Sequence, residues 1–377
     1  MQQLSIFDFI PEEEAEQFRA KKSTDWKWSM ANDYPKEKNG LKVFSCFACG
    51  GGSTMGYKLA GCEVLGCCEI DPKMNEIYIK NHNPKYNFLM DIREFNKIPN
   101  EELPPELFNL AILDGSPPCT TFSMAGDREE SWGKKKKFRE GQAEQTLDDL
   151  SFVFIDTVAK LKPYCVIMEN VEGLIKGEAW SYVQRIYKQF DDIGYKVKHW
   201  LLKGQYMGVP QKRHRVFFIA LRKDVPFDLE RLDMSFNYEP VVYGDIKEGA
   251  GETMNPDTRI YKLLCQCNST DTTLCDVVER LENKISLFNY VILQDQNIFP
   301  TLTAGSAETP MRGKEKTFCT CEDMIHAQTF PEDYVFPKKT RRSVQYICGM
   351  SVPPIMIKRI VTRLIESGVF AHYFTLK

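Results

Sequence analysis

Residues 42–56 read Lys42-Val43-Phe44-Ser45-Cys46-Phe47-Ala48-Cys49-Gly50-Gly51-Gly52-Ser53-Thr54-Met55-Gly56. An apolar, strand-like run breaks into three glycines and resumes as a helix near Tyr57. A second strand over Glu63 to Cys67 and a helix from Pro72 follow, which is a βαβ rhythm. Leu110 to Leu113 and Cys165 to Met168 extend it as buried strands, around an amphipathic helix over Leu147 to Leu161. The pattern predicts an α/β chain built on a doubly wound, parallel, Rossmann-like sheet.

The rhythm fails between about Val225 and Phe299, where a polar turn at Asn255-Pro256-Asp257 and a Cys/Ser/Thr-rich stretch predict a second, smaller domain. Order returns at Pro354 to Glu366, a helix with proline in its first turn. The expected organisation is a tail over 1–38, a main domain over 39–224, the small domain over 225–298, and a return to the main domain over 299–377. A length of 377 residues suits one large domain carrying a smaller one. A net charge of -3 gives no global field for nucleic acid, so any such binding must come from local Lys and Arg clusters.

The 13 cysteines are odd in number and spread over the whole length, and no basic-then-apolar signal stretch opens the chain. This predicts a reduced, cytoplasmic protein. No apolar run approaches the roughly 18–20 residues that cross a bilayer, so no membrane is expected. Cys265, Cys267, Cys275, Cys319 and Cys321 include two C-x-C pairs but no C-x-x-C spacing, and no metal is expected.

Three strand ends carry the chemistry. The glycine loop, with Glu69 closing the next strand, suits a nucleoside cofactor: glycines admit close backbone approach, and a carboxylate there can accept both ribose hydroxyls. Asp91, after the following apolar piece, can partner an adenine amino group. A flexible turn is the plainer alternative. At the next strand end stands Asp114-Gly115-Ser116-Pro117-Pro118-Cys119, whose prolines stiffen the backbone and present a thiol. Carbon 5 of cytosine is a poor nucleophile, and a thiolate added to carbon 6 converts the ring to an enamine that can attack a methyl group. A buried, inert cysteine is the alternative.

Glu169-Asn170-Val171 ends a further strand and offers a carboxylic acid for ring nitrogen 3, or a helix cap. In Gln211-Lys212-Arg213-His214-Arg215, ahead of the apolar Val216 to Ala220, the arginines alternate. In extended chain they share one face, which would be cationic and suited to a base carbonyl, the nucleophile or a phosphate. A solvated charge run is the alternative.

In this order, and together with Thr301-Leu302-Thr303 and Gly349-x-x-Val352, these segments resemble the motifs of the DNA (cytosine-5) methyltransferases of prokaryotic or phage type, over about residues 40–222 and 298–365. The resemblance implies an S-adenosylmethionine-dependent sheet with a target-recognition domain, and base flipping of a cytosine in double-stranded DNA. It implies S-adenosylmethionine as cofactor, held by Phe47, Gly50, Gly51, Glu69, Ile70, Asp91, Ile92, Ser116 and Val352. Cys119 would be the nucleophile, Glu169 would hold the base, and Arg213 and Arg215 would support the activated cytosine. DNA contacts are expected from Gln211, Thr301 and Lys134, Lys135, Lys136 and Lys137, the lysines lying in a lid over Ala125 to Thr146. A monomeric, nucleoid-associated enzyme is expected.

Cys49 stands where the family usually has glycine, with Gly50 to Gly52 expected to take over any positive φ; Met350 replaces the usual asparagine, and Thr120 a common glutamine. Competing readings are an RNA cytosine-5 methyltransferase, a non-catalytic DNA-binding regulator and a nicotinamide oxidoreductase. The first lacks the Cys-Phe-Thr signature of the transfer-RNA branch, the second predicts loss of Cys119, Glu169 or the arginines, and the third leaves Pro117-Pro118-Cys119 unexplained. Upstream, Gln3-Leu4-Ser5-Ile6-Phe7 resembles the segment by which bacterial replication and repair proteins dock on the sliding clamp; the same residues could instead pack as a terminal strand.

Overall fold

Side chains alternate across an extended chain, and here the alternation divides two apolar cores. In strand β1 (Lys42–Cys46), Val43 enters one core while Phe44 and Cys46 enter the other. The division repeats along the sheet, whose other strands are β2 (Glu63–Glu69), β3 (Tyr86–Leu89), β4 (Ile112–Gly115), β5 (Cys165–Val171), β6 (Tyr195–Lys203) and β7 (His214–Arg222). In β7, Phe217, Ile219 and Leu221 join Val43, whereas Val216, Phe218 and Ala220 join Phe44. Helices α1 (Gly52–Leu59) and α2 (Pro72–His82) cover the first face; α3 (Ile92–Lys97), α4 (Leu150–Leu161) and α5 (Trp180–Asp192) cover the second. The computed structural model describes residues 20–118, 150–304 and 308–375. Gln3 to Phe7, Cys119, the lid over Ala125 to Thr146 and Lys134 to Lys137 lie outside the described residues.

The strand order is β3-β2-β1-β4-β5-β7-β6. Strands β1 to β5 pair in parallel, as a doubly wound fold requires, but β7 runs antiparallel to both β5 and β6. A parallel pair needs a crossover of a dozen or more residues, usually a helix, and only residues 204–213 join β6 to β7. The wholly parallel sheet expected from the rhythm is corrected in this one strand.

A second sheet has the order β8-β11-β10-β9, from β8 (Glu252–Thr253), β9 (Ile292–Leu293), β10 (Met311–Arg312) and β11 (Thr317–Phe318). With helix α6 (Leu274–Glu282) it encloses its own core of Met254, Leu264, Val277, Val278 and Met311. The small unit therefore reaches past residue 298. Conversely, Val225, Leu229, Leu232, Met234, Tyr243 and Ile246 pack into the first large core, so the stretch after residue 225 leans on the main sheet. The expected boundaries of 225–298 need that correction; two-residue strands carry no period to read. Helices α7 (Cys321–Ala327), α8 (Arg341–Met350) and α9 (Pro354–Glu366) complete the chain, with α9 against α1. A side chain at Gly56 would meet Pro354 O at 2.4 Å and Ile357 Cβ at 2.5 Å, so this glycine sets how closely the two helices approach.

Candidate active site

The ends of β1, β2, β4 and β5 converge. At the end of β1 the chain turns by placing two non-glycine residues in the left-handed region, Phe47 at φ 58° and Cys49 at φ 49°, with Gly51 at 86°. Cys49 itself carries the conformation that the glycines after it were expected to assume. The buried carboxylate of Glu69 holds it there: Oε2 accepts from Cys49 N at 2.7 Å and Oε1 from Asp71 N at 2.9 Å. Burial raises the Glu69 pKa from its ordinary value, and burial followed by the Glu69 charge pushes the Cys49 thiol up to about 12. Cys49 is thus a neutral thiol.

The glycines make room for protein atoms. A Cβ at Gly50 would lie 2.7 Å from the Tyr334 hydroxyl, one at Gly51 would fall 2.0 Å from His82 Nε2, and one at Gly52 2.3 Å from Val352 O. Tyr334 donates to Gly50 O at 2.7 Å, and His82 Nε2 stands 3.3 Å from the same oxygen. Val352 accordingly bounds the loop from the C-terminal side. Asp91 caps α3, accepting from Arg93 N at 2.8 Å, and Ile92 behind it is buried in the second core with Phe95. Ile70 and Ser116 are half-buried.

Asp114 received no role from the sequence, yet it is a buried hub between three elements. It is 2% exposed and accepts from the Ser45 hydroxyl at 2.5 Å and the Tyr57 hydroxyl at 2.9 Å, tying β4 to β1 and α1. Burial outweighs those donors and lifts its pKa to about 7. Beside it, Asn170 donates to Pro117 O at 3.4 Å and accepts from Val171 N at 2.8 Å, so the end of β5 is fastened to the segment running into Cys119. Glu169 faces Arg215, Oε1 to Nε 2.8 Å, with both side chains mostly shielded from solvent.

The second arginine has a different environment. Arg213 is 2% exposed and donates to Leu302 O at 3.0 Å, Gly349 O at 3.0 Å and Ser351 O at 2.8 Å. Arg213 and Arg215 act on each other and on Glu169 electrostatically, but their bonds differ: Arg215 pairs with Glu169, and Arg213 braces the C-terminal return. Arg213 also precedes β7, so the alternation of extended strand does not govern it. Gln211, expected to contact DNA, is fully buried; its amide donates to Ala327 O and Gln328 Oε1 and accepts from Leu302 N, leaving no surface for a partner. Thr301 is half-buried and donates to Lys212 O. Among the described residues no group of His, Cys, Asp and Glu is arranged to hold a metal, and no helix is long and apolar enough to cross a membrane.

A family model for C-5 cytosine-specific DNA methylases matches residues 41–366. The chain is 31% identical over 200 residues to the Type II methyltransferase M.NgoPII of Neisseria gonorrhoeae, covering 52% of each chain. It is 27% identical over 328 residues to the Type II methyltransferase M.HindV of Haemophilus influenzae, covering 86% of this chain and 97% of that one. It thus spans about half the length of the first relative and nearly all of the second. Among solved structures, a prophage-encoded E. coli chain described as a DNA modification methyltransferase has a TM-score of 0.62 at 20% identity, with 87% of this chain and 99% of that one covered. A Spodoptera frugiperda DNMT2 variant gives 0.59 at 16%, covering 86% and 100%. At these identities the structural likeness is one of fold.

Proposed function

The chain belongs to the C-5 cytosine-specific DNA methylases, and from that premise we propose that it methylates carbon 5 of a flipped-out cytosine in a specific duplex sequence, using S-adenosylmethionine and a covalent bond from Cys119 to carbon 6. The observation that carries this reading is the Glu169–Arg215 pair at the end of β5, next to the Pro117-Pro118 segment that Asn170 fastens. Glu169 holds ring nitrogen 3 and draws electrons toward it as the thiolate adds. Arg215 fixes the orientation of Glu169 and balances its charge. Arg213 acts farther back, keeping residues 302 and 349–351 against the loop.

A nucleoside fits the strand ends. Glu69 is a buried carboxylate at the end of β2, each of whose oxygens takes one backbone N–H and has lone-pair capacity left for a ribose hydroxyl. Phe47 and Asp91 flank it at the ends of β1 and β3. When bound, S-adenosylmethionine supplies an electrophilic methyl group on a sulfonium sulfur.

The Cys119 thiolate forms a bond to carbon 6 and the displaced ring electrons make carbon 5 nucleophilic. After carbon 5 has gained its methyl group, its proton leaves to a base, the carbon 5–carbon 6 double bond re-forms, and the thiolate departs. Inside a duplex both faces of these carbons are stacked, so the base must leave the helix first. As with the Type II methyltransferases it resembles, a role in restriction-modification is proposed, with the small sheet reading the sequence.

Tritiated S-adenosylmethionine with duplex DNA, and RNA in a parallel arm, tests the proposal. Cys119→Ala is expected to lose at least ~1,000-fold in methyl transfer while cofactor binding stays within about twofold. Methylation at near wild-type rate, or transfer to RNA alone, overturns it. Duplexes containing 5-fluorocytosine are expected to trap a denaturant-resistant adduct, because fluorine cannot leave as a proton does.

A further inference from the structure

The glycine loop is a strained turn. Phe47 and Cys49 stand at positive φ without being glycine, and such backbone persists only where its surroundings hold it. Glu69 holds the middle of the loop through Cys49 N. The two flanks meet on another carboxylate. Asp114 Oδ2 accepts at 2.5 Å from the hydroxyl of Ser45, two residues ahead of Phe47, and Oδ1 accepts at 2.9 Å from the hydroxyl of Tyr57, in the second turn of α1. The chain between those two hydroxyls, residues 46–56, is the loop and the start of the helix that opens from it.

Ser45 and Asp114 are opposite residues of the parallel β1–β4 pair, and both side chains are buried together with that of Tyr57. Among the described residues, the titratable groups that face Asp114 are Cys46 on β1, Tyr57 on α1, Tyr78 on α2 and Glu169 on β5, and the Ser53 hydroxyl of α1 is a further donor. Burial holds Cys46, Tyr57 and Tyr78 neutral, so Tyr57 has a proton to donate and the charged neighbour is Glu169. Burial lifts the Asp114 pKa to about 7 against the pull of Ser45, Tyr57 and Ser53, and Glu169 adds to the rise. Joining two strands to a helix does not require an acid. Ile112, two residues earlier, shares an apolar core with Val43 of β1 and Met55 of α1.

We propose that Asp114 is a positioning residue for the cofactor loop: its carboxylate, accepting from both flanks at once, holds the loop in the shape that binds, so that affinity for S-adenosylmethionine follows the ionisation of this one acid. The inference rests on the cofactor reading above and adds the group that shapes the loop. The ionised form accepts both protons. The acid form carries a proton of its own, so one of its oxygens must donate and one of the two hydroxyls has to turn away. Affinity therefore rises with pH as Asp114 ionises, and by linkage binding draws its proton off.

Equilibrium dialysis of S-adenosylmethionine and of S-adenosylhomocysteine, between about pH 5.5 and 8.5, tests this in wild type, Asp114→Asn, Ser45→Ala and Tyr57→Phe. The amino group of each ligand titrates alike with every protein, so the ratio of variant to wild-type affinity is the quantity read. Asp114→Asn is expected to match wild type within about twofold at the acid end and to bind about tenfold more weakly at the alkaline end. Ser45→Ala and Tyr57→Phe each remove a donor from the ionised form and are expected to move the midpoint of the wild-type rise upward by about half a pH unit or more. A merely structural Asp114 predicts a ratio independent of pH. Such a flat ratio overturns the proposal, as does a midpoint unmoved in both donor variants. A response confined to the sulfonium ligand also overturns it, since the charge on the ligand and not the loop would then be responding. Wild type that binds neither ligand removes the cofactor reading and this inference with it, whereas binding with a flat ratio removes this inference alone.

Discussion

The two sheets are held by different means. In the large one, β6 and β7 pair over nine residues and alternate side chains fill two apolar cores. In the small one each strand has two residues, and its seat on the main body adds a buried ion pair to apolar contacts such as those of Leu293 and Ile246. Arg312, 2% exposed, pairs with Asp323 at 2.8 Å and donates to Glu248 O at 2.8 Å and Gly249 O at 2.7 Å, while the Tyr243 hydroxyl donates to Asp323 at 2.7 Å. Apolar layers tolerate exchange of similar side chains, whereas a buried ion pair accepts almost none.

The largest effect is expected from breaking that ion pair. Arg312→Met leaves Asp323 buried without its cation and should cost about 3–5 kcal/mol in denaturant unfolding; a loss below about 1 kcal/mol would mean that the seat is apolar after all. Next comes Asp114, a buried acid at the carboxyl end of β4. The Asp114 pKa is about 7 when folded, above its unfolded value, so its contribution is whole below about pH 4 and is lost as pH rises through 7. Relative to Asp114→Asn, wild-type stability should fall by roughly 2–4 kcal/mol between pH 4 and 8. Parallel pH profiles of the two proteins would contradict the raised pKa.

In the large sheet, trimming one methylene by Ile219→Val should cost only about 1 kcal/mol, with methylation of DNA unchanged. A cost near that of Arg312→Met would erase the distinction between the sheets. The smallest change is expected at α6, where the Thr273 hydroxyl accepts from Asp276 N at 3.4 Å in a capping box. Thr273→Ala should cost about 0.5–1 kcal/mol and show chiefly as faster amide exchange in the small unit.

What was legible in the sequence follows the same division. The run from Lys42 to Cys46, the helix from Pro72 and the helix Pro354–Glu366 stand where periodicity and proline put them. Strand direction was hidden, because β7 alternates the same way whichever way it runs. Polarity misled at Gln211 and Arg213, which look like surface groups in a basic run but are buried against backbone groups supplied more than eighty residues later. Asp114 gave no signal beyond its place at a strand end, since Ser45 and Tyr57 reach it only through the fold.

The contact of Gly56 with Pro354 and Ile357 has a consequence for how the protein is made. The glycine loop leaves the ribosome early, but the groups that close over it, Tyr334, Val352 and α9, are roughly 300 residues younger. At synthesis rates of about 5–20 residues per second, that is an interval of some 15–60 s. Throughout it the side of α1 that meets α9 is uncovered, and the loop lacks its contacts with Tyr334 and Val352. A nascent chain halted before α9 therefore owns every residue of the glycine loop and no finished pocket. The pocket should therefore be complete only once α9 has been made.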